Sequence, residues 1–389
     1  MKQVITTERI PIKLWLGKIE EGALQQARNL ANLPFAFRHV ARMPDAHEGF
    51  GMPIGGVLAT TGVIIPNAVG VDIGCGMCAA KTSLQEINIK TIKGIMSDIR
   101  KLIPLGFNHH KKPQDISLMP SAAGIIPGAI VDQEFESARA QIGTLGGGNH
   151  FIEIQKGSDG HIWIMVHSGS RNIGKRVADH YNRIARKLNE KWHAAVDLSA
   201  NLAFLPVDTD EAKQYLNEMM YCIEFAFSSR KLMMAKIESV FSDHCGSEFR
   251  ELEFINIAHN YAAPENHFGH NVYVHRKGAT RARKGETGII PGSQGTRSYI
   301  VTGKGNPDSF NSCSHGAGRI MGRKEAQRTL DLKSQIALLD KQGIVHAIRT
   351  TRDLDEAPGA YKNIDEVMKN QEDLVDVQVE LNPLAVIKG

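Results

Sequence analysis

The stretch VGVDIGCGM at 69–77 sets a carboxylate, Asp72, three residues before a thiol, Cys75, and surrounds both with Gly70, Gly74 and Gly76. Glycine weakens helix and strand alike, so this density implies that backbone freedom is needed around the two polar side chains. Three histidines occupy similar settings: His150 in GTLGGGNHFIE, His167 in HIWIMVHSGSR and His259 in NIAHNYAAPENH. Singly, a Cys is most often a small buried hydrophobe and a strand-end His a hydrogen-bonded structural residue. One thiolate, one carboxylate and three imidazoles together form a metal-ligand set, and by softness alone that set favours zinc.

Rival chemistries use the same residues. Cys75 and Cys78 have the CxxC spacing of a redox pair or half a zinc site, but no second CxxC exists and MCAAKTS reads as a strand. GTLGGGNH and SHGAGR could cradle phosphate with backbone N–H groups, although neither a Walker loop nor a Rossmann fingerprint is present. RKGATRARK at 276–284 carries Arg276, Lys277, Arg281, Arg283 and Lys284, which would suit a polyphosphate or form a solvated loop. NHHKKP at 108–113 reads equally well as plain surface.

Helices and strands must position these loops. Amphipathic patterns predict helices over 19–32 and 84–103, and Val177, Tyr181, Ile184, Leu188 and Trp192 recur at helical steps. Longer helices are expected over 209–241, after the capping residues of VDTD, and over 321–341. GGVLATT, CAAKTS, HFIEIQ, HIWIMVHS, HNVYVHR and RSYIVTG read as strands. They do not alternate regularly with helices, so a segregated α+β fold is expected rather than a doubly wound sheet. The polar loops fall between these elements, as in a site built from loop ends on one scaffold.

Composition sets outer bounds. The 389 residues are 42% apolar and 23% charged, ordinary soluble values, with a net charge of +4 that does not call for nucleic acid. No composition break divides the chain, so one domain over 1–389 is expected. MKQVITTERIPIKLW lacks a signal-like apolar run, and no stretch approaches the roughly 18 apolar residues of a membrane span. Five cysteines argue against a disulfide framework and for a reducing, cytoplasmic setting.

Taken in order, MPDAHEGFGMPIGG, VGVDIGCGM, GTLGGGNHFIE, HSGSR, HNY, RKGA, IIPGSQGT, SYIV, SCSHGAGR, AYK and the final VIKG resemble the signatures of the RtcB family of RNA-splicing ligases, from about residue 40 onward. The resemblance implies a single RtcB-type domain that uses GTP and two Mn²⁺ ions. Its substrates would be RNA ends bearing a 3′-phosphate or 2′,3′-cyclic phosphate and a 5′-hydroxyl, and an archease-like activator is a family-level option. Carried over by position, Cys75 bridges the two ions, Asp72 and His150 complete one, and His167 and His259 complete the other. His315 becomes the nucleophile that takes GMP. Guanylate contacts fall to Asn149, His150, Phe151, Ile152, Glu153, His259, Asn260, Pro291, Gly292, Ser293, Gln294, Ser298, Gly316, Ala317, Gly318 and Lys388. Asp45 and His47 would support the site from behind. Gln294 departs from the family's usual PGSMGT, and Cys78 matches no family role. A dinuclear phosphohydrolase would use the same metals without His315 or Lys388, and a non-catalytic RNA-binding protein would not depend on Cys75.

Overall fold

The HIWIMVHS segment forms a strand buried along its whole length, so its side chains alternate between two interior environments rather than between core and water. The computed structural model, which describes residues 1–389, places it third in a seven-stranded sheet. In sheet order the strands are β10 (Glu251–Ala258), β6 (Gly76–Thr82), β8 (Ile162–Ser168), β7 (Phe151–Gly157), β17 (Val375–Lys388), β15 (Ser298–Gly303) and β14 (Thr287–Ile290). All neighbours are antiparallel. A six-stranded sheet runs β1 (Gln3–Ile5), β2 (Ile12–Leu14), β3 (Ala36–His47), β4 (Ile54–Thr60), β12 (His270–Lys277) and β11 (Asn260–His267). Only β2 and β3 pair in parallel. Two short ribbons join β5 (Val63–Ile64) to β9 (Leu205–Pro206) and β13 (Ala279–Arg281) to β16 (Ser312–Ser314). This is the segregated, mixed α/β architecture that the irregular element order predicts.

Helices α2 (Ile89–Leu102) and α5 (Asp210–Cys245) cover one face of the larger sheet. There Cys78, Ala80, Ile152, Ile154, Ile164 and Val166 pack against Ile95 and Ile99 of α2 and Met233, Ile237 and Phe241 of α5. Burying each large side chain contributes roughly 1.5–3 kcal/mol. One step along the strands, Met77, Ala79, Phe151, Trp163 and Met165 face the other way and meet Ile289 and Ile300. Strand periodicity therefore turns His167, two residues after Met165, to this second face. Helix α1 (Glu21–Ala31) backs β3, while α3 (Ile130–Gln141) and α4 (Arg171–Lys191) pack with α5.

The expected strands are all present, and the structure corrects several other boundaries. The helix expected over 84–103 starts at Ile89, where the Asn88 side chain accepts from Thr91 N at 2.9 Å. Thr209 caps α5, which continues four residues beyond 241 to Cys245. Trp192 lies past the end of α4 and is exposed. The single helix expected over 321–341 is two, α6 (Arg323–Thr329) and α7 (Leu332–Lys341), because Asp331 caps a new start by accepting from Ser334 N at 2.7 Å. Residues 42–47 and 260–267, which carry no strand-like alternation, belong to strands β3 and β11. Their polar residues are stabilised by tertiary partners that a local pattern does not reveal. The last helix, α8 (Ile364–Lys369), packs on β3.

One buried cation locks α5 to the sheet. Arg230 is fully buried, and its guanidinium donates to Gly74 O at 3.0 Å, Ser168 O at 2.8 Å and Asn256 Oδ1 at 2.8 Å. It thus joins the 69–77 loop, the end of β8 and β10. Replacing Arg230 by Leu strips its donor from two buried carbonyls and from the half-buried Asn256 amide, at about 1–3 kcal/mol for each buried acceptor. The Arg230→Leu variant is expected to lose at least about 2 kcal/mol in urea unfolding; a loss below about 1 kcal/mol would show that the staple is dispensable.

Candidate functional site

Antiparallel pairing brings alternate chain ends to one sheet edge, and four adjacent strands use this. The β6–β10 register sets Gly76 opposite Ala258, so the next residues outward are Cys75 and His259; His259 N donates to Cys75 O at 2.8 Å. In the next pairings His167 lies opposite Met77 on β6 and Phe151 on β7, which places His150 at the same edge. The side chains then converge. Cys75 Sγ is 3.3 Å from His167 Nε2 and 3.5 Å from His150 Nε2. His167 Nε2 is 3.3 Å from His259 Nε2, and His150 Nε2 is 3.1 Å from Asp72 Oδ2. Two triads result, Asp72–Cys75–His150 and Cys75–His167–His259, with donor atoms in each within 4.8 Å of one another and Cys75 common to both.

The loop glycines have distinct reasons. Gly74 has φ +72°, and a Cβ there would stand 2.8 Å from Ile223 Cα of α5. Gly76 lies in the strand itself, where a Cβ would be 2.0 Å from Ile257 O; close strand approach, rather than bending, requires it. Cys78 alternates into the helix-side core, where burial pushes its thiol up to about 12. The CxxC spacing therefore does not make a pair.

The donor set fits a cation. His150 Nδ1 lies 2.9 Å from Leu145 O and His167 Nδ1 3.0 Å from Asn149 O, so each Nδ1–H donates to a carbonyl and each Nε2 keeps its lone pair. Burial, reinforced by neighbouring imidazoles, pushes His167 and His259 well below the usual range and keeps them neutral. The free pair of His167 Nε2, 3.3 Å from His259 Nε2 and 3.3 Å from Cys75 Sγ, points into the space that a cation bound by this triad would fill. Burial and then Asp72 push the Cys75 thiol up, and a bound divalent ion is what reverses that.

His315 stands beside these triads, its ring centroid 4.8 Å from that of His259. It follows β16, whose partner β13 begins just beyond the Lys277–Gly278 corner. Asp45, buried on β3, accepts from His315 N at 3.0 Å and from Nδ1 at 2.6 Å. Burial alone would raise the Asp45 carboxyl, but His315, Lys362 and His47 outweigh it and hold it below the usual range. An ionised carboxylate only accepts, so Nδ1 carries a proton, and in the neutral ring the free lone pair is then on Nε2. Lys362, in the AYK motif, donates to Ala46 O at 2.5 Å and Pro44 O at 3.3 Å and fixes the Asp45 segment.

A cavity of about 250 Å³ connects the triads to His315. Its walls include the expected Asn149, Phe151, Glu153, His259, Asn260, Pro291, Gly292, Ser293, Gln294, Gly316, Ala317, Gly318 and Lys388. Three expected contacts lie elsewhere. Ile152 alternates into the helix-side core, so only its backbone could reach a ligand. Ser298 is fully buried one layer below, with its hydroxyl bonded to Gly292 N and Gln155 Nε2, each at 3.1 Å. His150 lies on the far side of Asp72, in a neighbouring groove with Arg171. Asn260, though on the wall, already spends its amide on Asp72 O at 3.1 Å and Gly278 N at 2.7 Å, lacing the 72–75 loop to β11. The wall also holds Arg319, Arg323, Glu356 and Tyr361, which the sequence reading did not select. Arg319 and Tyr361 lie inside recognisable motifs, whereas nothing local distinguishes Arg323 or Glu356.

The 276–284 cation run is not a free phosphate-binding patch. Arg276 is fully buried and doubly bonded to Glu265, at 2.5 and 3.2 Å. Lys277 is buried and donates to Phe50 O at 2.6 Å and Asn67 O at 3.1 Å, and Arg281 pairs with Glu286 at 2.6 Å. Arg283 and Lys284 alone remain at the surface. The 108–113 cluster is largely exposed, as plain surface would be.

A mixed α/β scaffold carrying two thiol-linked metal-type triads beside a carboxylate-held histidine is the class of protein that emerges. The family model described as tRNA-splicing ligase RtcB matches residues 26–123 and 120–389. The chain is 37% identical over 414 aligned positions to the RNA-splicing ligase RtcB of Escherichia coli (strain K12), covering 100% of this chain and 99% of that protein. It is 31% identical to the RNA-splicing ligase RtcB of Mycobacterium tuberculosis, covering 94% of this chain and 100% of that one. For the tRNA-splicing ligase RtcB of Thermococcus kodakarensis the identity is 30%, over 95% and 92% of the two chains. The chain belongs to the RtcB family. No helix is long and apolar enough to cross a membrane.

Because Cys75 is shared, Cys75→Ala is expected to lose both bound ions and His259→Ala only one, as measured by inductively coupled plasma mass spectrometry after equilibration with Mn²⁺ or Zn²⁺. Equal stoichiometry in the two variants would refute a shared thiolate.

Proposed function

We propose that this protein is a GTP- and Mn²⁺-dependent RNA ligase that joins a 3′-phosphate or 2′,3′-cyclic phosphate end to a 5′-hydroxyl end, in RNA repair or tRNA splicing in the cytoplasm. The observation that carries the reading is His315, held through Nδ1 by Asp45 at 2.6 Å with its ring against His259, in a cavity that also contains Cys75 and Lys388. A hydrolase acting through the triads alone has no use for a histidine presented in this way. Family membership and relatives named as RNA ligases support the same reading.

His315 Nε2 is the nucleophile. It attacks the α-phosphorus of GTP, an N–P bond forms, the α–β P–O bond breaks and pyrophosphate leaves. Asp45 holds the ring and stabilises the positive charge that grows on it as Nε2 bonds to phosphorus. Two Mn²⁺ ions, each held by one triad, would supply positive charge to offset the negative transition state and to activate the attacking hydroxyl. An oxygen of the RNA 3′-phosphate then displaces His315 from phosphorus and gives a 3′-phosphate–GMP anhydride. Finally the 5′-hydroxyl attacks the RNA phosphorus, GMP departs and a 3′,5′ linkage remains. A cyclic end must first be opened by water to the 3′-phosphate.

Within the cavity we assign Glu153 to the guanine base; burial pushes its carboxyl up to about 8 against the opposing pull of Lys388, so a bound nucleotide or ion must draw it back to the accepting carboxylate. Lys388 Nζ lies 5.2 Å from the centre of the Phe151 ring, at the same end of the cavity. Softness arguments favour zinc at a thiolate–imidazole site, so the manganese assignment is tested along with the reaction.

Incubation with α-³²P-labelled GTP and Mn²⁺ is expected to label the wild type through an acid-labile, base-stable bond. His315→Ala and Cys75→Ala should take no label, and Asp45→Asn should label at least about 100-fold more slowly. A metal-loaded, folded wild type that stays unlabelled would overturn the proposal in favour of the hydrolase.

A further inference from the structure

We propose that Glu356 is a positioning residue that assembles a two-arginine clamp for the polyphosphate of the nucleotide; this rests on the guanylation reading above. Glu356 is buried, and both its carboxylate oxygens are used. Oε1 accepts from Arg323 Nε at 2.7 Å, while Oε2 lies 2.9 Å from Arg319 Nη1 and accepts the Tyr361 hydroxyl. All four side chains line the cavity beside His315.

The arrangement is stiffened from three directions. Arg319 also donates to Asp355 O at 2.6 Å and Met321 O at 3.0 Å. Arg323 arches over the glycine loop before Asn149, so closely that a Cβ on Gly148 would stand 2.7 Å from its Nη2. Gln294 donates from Nε2 to the Glu356 carbonyl at 2.7 Å and so ties the PGSQGT loop to the turn that carries the carboxylate. This gives the departure from PGSMGT a definite job. Burial alone would protonate Glu356, but Lys388, Arg319 and Arg323 outweigh it and keep it ionised.

Two guanidiniums that face one cavity repel each other and sample many rotamers unless something between them fixes both. One carboxylate does so while leaving net positive charge on the wall. The chemistry that such a wall accepts is a polyanion, and guanidinium N–H groups suit phosphate oxygens. Glu356 acts through the arginines and needs no contact with the nucleotide.

The sign of the mutant effect separates positioning from simple electrostatics. Removing a negative charge near an anion site should tighten binding if Glu356 acts only through space. If it positions the clamp, Glu356→Gln should raise the half-saturating GTP concentration for covalent labelling about 10–100-fold, with the rate at saturation within about threefold of wild type. Glu356→Asp should recover part of the loss. Arg323→Gln, at a partly exposed site that tolerates change, should weaken GTP about 10-fold, and the Glu356→Gln/Arg323→Gln double variant should be no weaker than Glu356→Gln alone. Unchanged or tighter half-saturation in Glu356→Gln, or additive losses in the double variant, would overturn the proposal. If Glu356→Gln does not fold, the Arg323→Gln and Glu356→Asp arms decide: normal GTP saturation in both overturns it. In every case wild-type labelling is the reference. Its absence would count against the ligase reading, whereas its presence with an unaffected Glu356→Gln would count against the clamp alone.

Discussion

The antiparallel register of β10, β6, β8 and β7 governs this molecule. Each pairing sends one chain end to the same edge, and the four ends present His259, Cys75, His167 and His150. A slip of one residue in any of these ladders would turn a ligand from the site face to the helix-packed core, because strand side chains alternate. Register is in turn fixed by burial on both faces, with Ile152, Ile164 and Val166 on one side and Met77, Phe151 and Met165 on the other. The hydrophobic core and the site geometry are thus one constraint seen from two sides.

The smaller sheet supplies what the larger lacks. Asp45 comes from β3, and His315 follows β16, whose ribbon with β13 continues from β12. Asn260 joins the two halves at the level of single atoms, with its backbone and side chain both held by the 72–74 loop. His315 and the metal-type triads therefore meet only when both sheets are complete.

Polar groups are buried freely near the site, and the charged ones are matched to specific partners. Arg230 serves three acceptors, Arg276 is matched by Glu265, and Asp45 by His315. Burying such groups costs stability relative to apolar packing, so their use marks positions where orientation matters more than adhesion. Among the buried polar atoms left without a partner are Nδ1 of His259 and Oδ1 of Asp45, both at the site.

By itself the sequence determined the candidate metal-binding and nucleophilic residues, the motif order and the segregated α+β class, because Asp72, Cys75, His150, His167, His259 and His315, set in loops of glycine or small residues, and the alternating runs around them are local signals. Hydrophobic periodicity located α2, α4 and α5 and six strands for the same reason. Tertiary structure alone decided the rest. Whether Arg276 and Lys277 face phosphate or the interior depends on Glu265, Phe50 and Asn67, which are distant in space until the chain folds. The division of Phe151 from Ile152 between cavity and core follows from the pairing register, and the use of Glu356 by Arg319, Arg323 and Tyr361 follows from packing of the C-terminal turns. Local chemistry names the groups that can react; long-range pairing of buried charge and strand decides which of them meet.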